Sequence, residues 1–235
     1  MTAPGVVAAL APTGVLRAVV NLGNPVLAQG TPDAPAGVTV DLARELADRL
    51  GVPAGLTCVD AARDSFAALA EGRADVGFLA VEPQRAEQVA FTDPYVLIEG
   101  VFAVPEASSL RAADDVDAPG VRIGVKEGSA YDLYLSRTLR HAEVVRGTEG
   151  TAVFDAQRLE VAAGIRQPLT RWAAERGGVR VVEPRFTEIR QAVATGRDRA
   201  PRAVDWLRET VAELVTTGFV ATSLAASGQD ATVPA

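Results

Sequence analysis

Short apolar runs and amphipathic helical stripes alternate along the first hundred residues. The run Val15–Val20 predicts a strand, and Val38–Leu50 carries apolar side chains every three to four residues, the spacing of one buried helix face. The alternation continues with the strand Leu56–Val59, a short helix over Ser65–Glu71 and the strand Val76–Leu79. Strands that alternate with helices indicate a parallel sheet with crossover helices.

The same alternation restarts after residue 100 and predicts a second α/β unit. Its expected strands are Val101–Val104, Val121–Val125, Ala142–Val145, Leu159–Ala163 and Val179–Val182, and its expected helices are Tyr131–Arg140 and Pro168–Glu175. A further strand, Ile189–Ala194, then precedes a long helix over Pro201–Thr217, and the polar tail Ser227–Ala235 is expected to fray.

The position of the last helix predicts how the two units are connected. If this helix packs on the first unit, the chain crosses between the units twice, near Glu99–Phe102 and Thr187–Val193. The sequence therefore predicts two α/β lobes joined by two hinge strands, with residues 1–99 and 193–235 in lobe 1 and residues 100–192 in lobe 2. A cleft between two hinged lobes is where a small ligand would bind.

Charge and composition exclude several classes of function. The net charge of −7 opposes binding to a phosphate backbone, so nucleic acid is not expected as a partner. Cys58 is the only cysteine and His141 the only histidine, which rules out an intramolecular disulfide and argues against a zinc site. We therefore expect neither a metal nor a cofactor.

The location of the protein stays open at this level. No apolar run approaches the roughly 18–20 residues that a membrane-spanning helix needs. Residues 1–12 are mildly apolar but lack the basic start and long apolar core of a secretory signal. Either a signal has been removed from this chain or the protein stays in the cytoplasm.

Four blocks of sequence follow one another at a characteristic spacing: Gly37–Gly51, Leu69–Val76, Arg85–Tyr95 and Ile123–Tyr131. They resemble the family 3 extracellular solute-binding proteins of amino-acid ABC importers, and the resemblance extends over roughly residues 14 to 228. It implies the type II periplasmic-binding-protein fold and a monomeric, non-catalytic receptor, periplasmic or extracellular and membrane-associated. Such a receptor closes its cleft on an amino acid or related organic acid and delivers it to a permease.

Arg85 is the first candidate ligand-binding residue. It follows a loop after a parallel strand, at the edge where open α/β sheets place their ligands. A guanidinium there can hold a carboxylate through two parallel hydrogen bonds. The alternative is a surface salt bridge from Arg85 to Glu82 or Glu87.

Two further segments carry candidate contacts. Ser129 and Ala130 begin a predicted helix, where Ser129 can cap the first turn and the exposed N–H groups can attract an anion. The resemblance implies that this turn meets the ligand carboxylate opposite Arg85. Asn21 and Asn24 follow the first strand and either contact the ligand or serve only the turn.

The chain departs from the family pattern at the position that holds the ligand ammonium. Arg166, followed by Gln167, stands where the resemblance leads us to expect an aspartate, and Ala80 and Glu82 replace hydroxyl side chains before Arg85. Either Glu82 or Glu99 takes over the ammonium, or Arg85 and Arg166 together bind a solute with two anionic groups. In a third interpretation Arg166 only points to solvent.

Two other functions compete with the receptor hypothesis. Some proteins that are similar to these receptors dehydrate cyclic acids, and Glu82 or Glu99 could act as the general acid if burial raised its pKa. The second alternative is a ligand-sensing module, which the missing signal would suit.

Overall fold

The computed structural model describes residues 3–234, apart from the side chain of Pro4. The chain divides into two compact units: unit 1 contains the residues up to Leu97 and those from Arg190 onwards, and unit 2 is Ile98–Ile189. Each unit combines strands with helices, as the alternating pattern predicts.

Unit 1 begins with helices and strands in close alternation. In chain order these are α1 (Pro4–Leu10), β1 (Leu16–Asn21), β2 (Gln29–Thr31), β3 (Ala34–Ala36), α2 (Val38–Leu50), β4 (Ala54–Val59), α3 (Ala62–Ala70), β5 (Val76–Ala80) and α4 (Pro83–Ala86). The long strand β6 (Val89–Pro105) then carries the chain out of unit 1.

Unit 2 repeats the alternation and returns the chain through a second long strand. After a 3₁₀ turn at Ala113–Asp115 come β7 (Arg122–Lys126), α5 (Ala130–Thr138), β8 (Glu143–Gly147), α6 (Gly150–Gln157), β9 (Val161–Ile165), α7 (Arg166–Arg176) and β10 (Val179–Gly196). The helices α8 (Pro201–Thr216) and α9 (Phe219–Ala226) complete unit 1.

The strands of each unit run parallel at the centre and antiparallel where the long strands join. In unit 1 the order is β4-β1-β5-β10, with β1 parallel to β4 and β5 and with β10 antiparallel to β5. In unit 2 the order is β6-β9-β7-β8, with β7 parallel to β8 and β9 and with β6 antiparallel to β9. Parallel neighbours place the carboxyl ends of their strands at one edge of the sheet, where open α/β sheets bind ligands.

Buried apolar faces hold the helices against these sheets. The helix α2 buries one face, including Leu42, Leu46 and Leu50, and ends at Gly51 in the left-handed conformation that glycine adopts without strain. A core in unit 1 gathers around Leu69 and Leu79. The core of unit 2 gathers around residues of α6, β9 and α7, including Phe154 and Leu169.

The predicted α/β architecture is confirmed, and several local predictions are corrected. The segments Val179–Val182 and Ile189–Ala194 are parts of the single strand β10 rather than two strands. The pattern missed α1, α6 and α9, because helices of seven or eight residues contain barely two turns of periodicity.

The tail is better ordered than its polar composition suggests. Thr232 pairs with Leu97 of unit 1 through both backbone groups, at 2.7 and 3.3 Å. The expectation of fraying is therefore wrong at this position, whereas its last residue, Ala235, lies outside the described residues.

Candidate functional site

The ligand-binding residues predicted in unit 1 lie at the carboxyl ends of β1 and β5. Asn21 and Asn24 follow β1, and Glu82 and Arg85 follow β5. Because β1 and β5 are parallel neighbours, both loops begin at the same edge of the unit 1 sheet.

Arg85 is held inside unit 1 rather than at its surface. It lies on α4 with only 3% of its surface exposed, and its Nη1 donates to the Ala80 carbonyl at 3.3 Å. Burial lowers the pKa of Arg85 to about 10, and the charge of Glu82, which is also buried, acts in the opposite direction. At neutral pH the guanidinium therefore stays charged.

The burial of Arg85 argues against the alternative that it only forms a surface salt bridge. A solvated surface salt bridge does not describe a residue so deeply buried, and Glu87 is exposed. Burying a cation carries a desolvation cost that a nearby anion or hydrogen-bond acceptor must offset. Glu82 and the Ala80 carbonyl contribute to that offset.

Asn21 and Asn24 both shape the turn after β1. The Asn21 Oδ1 accepts a hydrogen bond from the Gly23 N–H at 3.0 Å, and the Asn24 Oδ1 accepts one from the Val26 N–H at 3.3 Å. Each side chain therefore mimics a backbone turn two residues ahead, which is the ordinary structural use of asparagine. Asn24 is also buried.

In unit 2, Ser129 caps α5 as its local sequence predicts. The Ser129 Oγ accepts a hydrogen bond from the Asp132 N–H at 3.1 Å, and the Asp132 carboxylate accepts one from the Gly128 N–H at 2.8 Å. Ala130 occupies the first helical position, and the N–H groups there have no acceptor within the helix. Arg146 also donates to Asp132, at 3.1 Å from Nε, and its positive charge lies close to this turn.

Arg166 joins two glutamates at the start of α7. Its Nε donates to Glu99 and its Nη1 and Nη2 donate to Glu183, the Nη2 bond being 2.8 Å long. Arg185 adds a second cation, donating to Glu99 at 2.7 Å and to Glu188 at 3.3 Å. The interpretation of Arg166 as a solvent-directed charge is therefore wrong. An anionic solute at Arg166 would also have to compete with two carboxylates.

The same ion pairs fix the charge of Glu99. Partial burial acts to raise its pKa, but the hydrogen bonds from Arg185 and Arg166 outweigh burial, and the pKa of Glu99 lies below its ordinary value. The pKa of Glu183 is lowered too, chiefly by its hydrogen bond from Arg166. A general acid needs a raised pKa, so Glu99 is poorly suited to that role.

Two glutamines lie beside the segments described above. Gln167 lies next to Arg166 in the first turn of α7 and is half-buried. Gln191, which sequence reasoning missed, is buried on β10 with its Cα opposite that of Ala80. The available signal was weak: a glutamine that follows Arg190 within the run Ile189–Ala194.

Within residues 3–234, no cluster of three or more histidine, cysteine, aspartate or glutamate side chains is arranged to hold a metal ion. In the same part of the chain, every helix is too short or too polar to cross a membrane.

Known structures share this fold at low sequence identity. The cysteine-binding protein of Campylobacter jejuni superposes with a TM-score of 0.77 at 19% identity, covering 94% of this chain and 92% of that chain. An amino acid ABC transporter substrate-binding protein of Streptococcus pneumoniae, bound to L-arginine, gives 0.75 at 17%, covering 93% and 96%. The ancestral amino acid-binding protein AncCDT-1, a precursor of cyclohexadienyl dehydratase, gives 0.72 at 20%, covering 93% and 96%.

Comparison of sequences gives the family. Curated proteins yielded no significant match. The family model for bacterial extracellular solute-binding proteins, family 3, matches residues 17–224, which is most of the chain. The protein therefore belongs to family 3 of the bacterial extracellular solute-binding proteins.

Proposed function

We propose that this protein is a receptor for a small polar solute that bears a carboxylate, either an amino acid or a related organic acid. The buried guanidinium of Arg85 at the carboxyl end of β5 carries this proposal. Membership of a solute-binding family and the amino acids named for similar structures support it.

A carboxylate suits the chemistry around Arg85. A guanidinium has five N–H donors in a rigid fork, so it can hold the Ala80 carbonyl and engage further acceptors in the same plane. A charge-assisted hydrogen bond contributes about 1.5–3 kcal/mol. A buried cation also gains from a second anion, because each additional charge partner offsets part of its desolvation.

The start of α5 in unit 2 provides a second place for anionic groups. Ser129 and Ala130 present a capped helix start whose backbone N–H groups and helix dipole favour negative charge. We include these two residues, with the turn at Asn21–Asn24, among the ligand contacts of the proposal.

Glu82 is the better candidate for holding an ammonium group. Glu99 accepts hydrogen bonds from Arg166 and Arg185, so an ammonium would add a third cation to one carboxylate. Glu82 is buried close enough to Arg85 for its charge to act on the guanidinium. Carboxylate and ammonium of one amino acid could then be recognised by neighbouring side chains of unit 1.

The family also suggests a partner and a location. We propose that the protein works as a monomer on the extracellular side of the membrane and delivers its solute to the permease of an amino-acid ABC importer. A gene neighbourhood that encodes a permease and an ATPase would favour an importer over a sensing module.

A binding panel tests the proposal. Thermal-shift measurements and calorimetry with L-arginine, L-lysine, L-cysteine, L-glutamate and succinate should identify at least one ligand. Arg85→Met should abolish its binding, since the apolar side chain cannot hold a carboxylate. Arg73→Met is the matched control, because Arg73 lies exposed beside Glu71 and should not affect binding.

The dehydratase alternative is tested on the same protein. Likeness to a dehydratase precursor motivates turnover assays with prephenate and arogenate. We expect binding without turnover, because the lowered pKa of Glu99 makes it a poor proton donor. Steady product formation with either compound would replace the receptor by an enzyme.

A further inference from the structure

Gln191 occupies a specific place beside the segment that carries Arg85. It lies on the part of β10 that belongs to unit 1, and its Cα is paired with that of Ala80 at the end of β5. The next pair along, Val81 with Arg190, is hydrogen-bonded, since the Val81 N–H donates to the Arg190 carbonyl at 2.9 Å. Ala80 and Gln191 therefore form a non-hydrogen-bonded pair, the kind in which opposite side chains lie closest.

The side chain of Gln191 is buried without a structural role that the fold explains. Gln191 is 6% exposed as a whole residue, and no hydrogen bond joins its side-chain amide to the described residues. Thr195 on the same strand shows the usual arrangement, because its buried hydroxyl donates to the Asp75 carbonyl at 2.7 Å. The amide oxygen and nitrogen of Gln191 are not among the side-chain atoms that are both fully buried and unpaired, so they keep some exposed surface at which a solute could bind.

The surroundings of Gln191 are those of a ligand-binding position. Ala80, its partner across the ladder, accepts the hydrogen bond from Arg85. Next to Ala80, Val81 is the one large hydrophobic residue among the described residues that is strongly exposed, at 40%. The guanidinium of Arg85 and the amide of Gln191 thus both lie next to Ala80 at the end of β5.

We propose that Gln191 contacts the bound solute and determines part of its specificity, an inference that rests on the proposed function. Its amide both donates and accepts hydrogen bonds. Gln191 can therefore hydrogen-bond to a polar group of the solute that lies next to the carboxylate held by Arg85, and it does so without adding a charge to the site. A site built to hydrogen-bond a polar group discriminates against ligands that lack it, because the amide is then left unpaired.

The test substitutes Gln191→Met, which keeps the length of the side chain and removes the amide. Calorimetry with L-arginine, L-lysine, L-cysteine and L-glutamate should show at least a tenfold loss of affinity for the tightest probe and a changed ranking of the four. The melting temperature without ligand should stay the same or rise, because no hydrogen bond within the protein is lost. Gln84→Met, at the exposed neighbour of Arg85 on α4, is the control and should leave both readouts unchanged.

The affinities and melting temperatures of these variants distinguish a failure of the proposed role of Gln191 from a failure of the proposed function. If Gln191→Met keeps wild-type affinity while Arg85→Met abolishes binding, the proposed function stands and the role of Gln191 is refuted. A fall in melting temperature together with an equal loss of affinity for all four probes would make Gln191 a structural residue and would equally refute the proposal. If the wild-type protein binds none of the four probes or succinate, both the proposed function and the role of Gln191 fail.

Discussion

Tyr95 carries a buried polar group that has no hydrogen-bond partner among the described residues. Its ring is fully buried on β6 and meets Phe78 edge-on, with ring centroids 6.1 Å apart. The hydroxyl has no hydrogen bond within the described residues, and burial raises its pKa. The ring therefore contributes packing, whereas the hydroxyl is desolvated without compensation.

We expect Tyr95→Phe to leave the free energy of unfolding unchanged or to raise it by about 1 kcal/mol, because only an uncompensated hydroxyl is removed. Urea unfolding measures the change, and Phe78→Leu serves as a control that should destabilise by removing the aromatic contact. A loss of more than about 1 kcal/mol in Tyr95→Phe would mean that the hydroxyl makes a hydrogen bond in solution.

At the residue scale, the sequence predicts contacts between near neighbours and misses contacts between distant ones. The cap at Ser129 was predictable because its acceptor and donor lie three residues apart. The ion pairs of Arg166 were not, since Glu99 is 67 residues away and Glu183 is 17 residues away along the chain. Nothing in the local spacing shows which charges the fold will bring together.

At the scale of elements, one buried carboxylate ties unit 1 together. Asp75 is fully buried just before β5 and accepts hydrogen bonds from Arg17 of β1, at 2.8–3.0 Å. Arg199, which follows β10, donates to Asp75 at 2.7 Å and to the Ala9 carbonyl in α1 at 2.5 Å. A single side chain therefore links two strands directly and, through Arg199, the first helix.

We predict that Asp75→Asn lowers the free energy of unfolding by about 3–5 kcal/mol, because it leaves two guanidinium groups without their shared anion. The exposed pair Arg73–Glu71 provides the control, and Glu71→Gln should cost less than about 1 kcal/mol. Urea unfolding at neutral pH compares the two. Equal costs would show that burial does not strengthen the contribution of Asp75.

Element prediction succeeded where the periodic pattern is long and failed where it is short. The helix α2 matches its predicted bounds because 13 residues present several turns of apolar spacing. The seven-residue helix α1 has no capping hydrogen bond, and its anchor Arg199 lies far along the chain. Only tertiary contacts could reveal such an element.

At the scale of the molecule, the order of strands and helices predicts the α/β class, and sequence blocks in both units predict the family. The solute itself was beyond prediction. We propose that its identity depends on a few side chains such as Gln191, whose burial and position opposite Ala80 appear only in the folded chain.

The proposed receptor function requires that Arg85 holds a carboxylate of the solute, and calorimetry on paired ligands measures this interaction. The pairs differ only in the α-carboxylate: L-arginine and agmatine, L-lysine and cadaverine, L-cysteine and cysteamine, and L-glutamate and γ-aminobutyrate. For the amino acid that binds best, the wild-type protein should lose about 1.5–3 kcal/mol on removal of the carboxylate. Arg85→Met should show no measurable binding of either member of the pair. If Arg85→Met still prefers the amino acid by the wild-type margin, the carboxylate is bound elsewhere and the account is wrong.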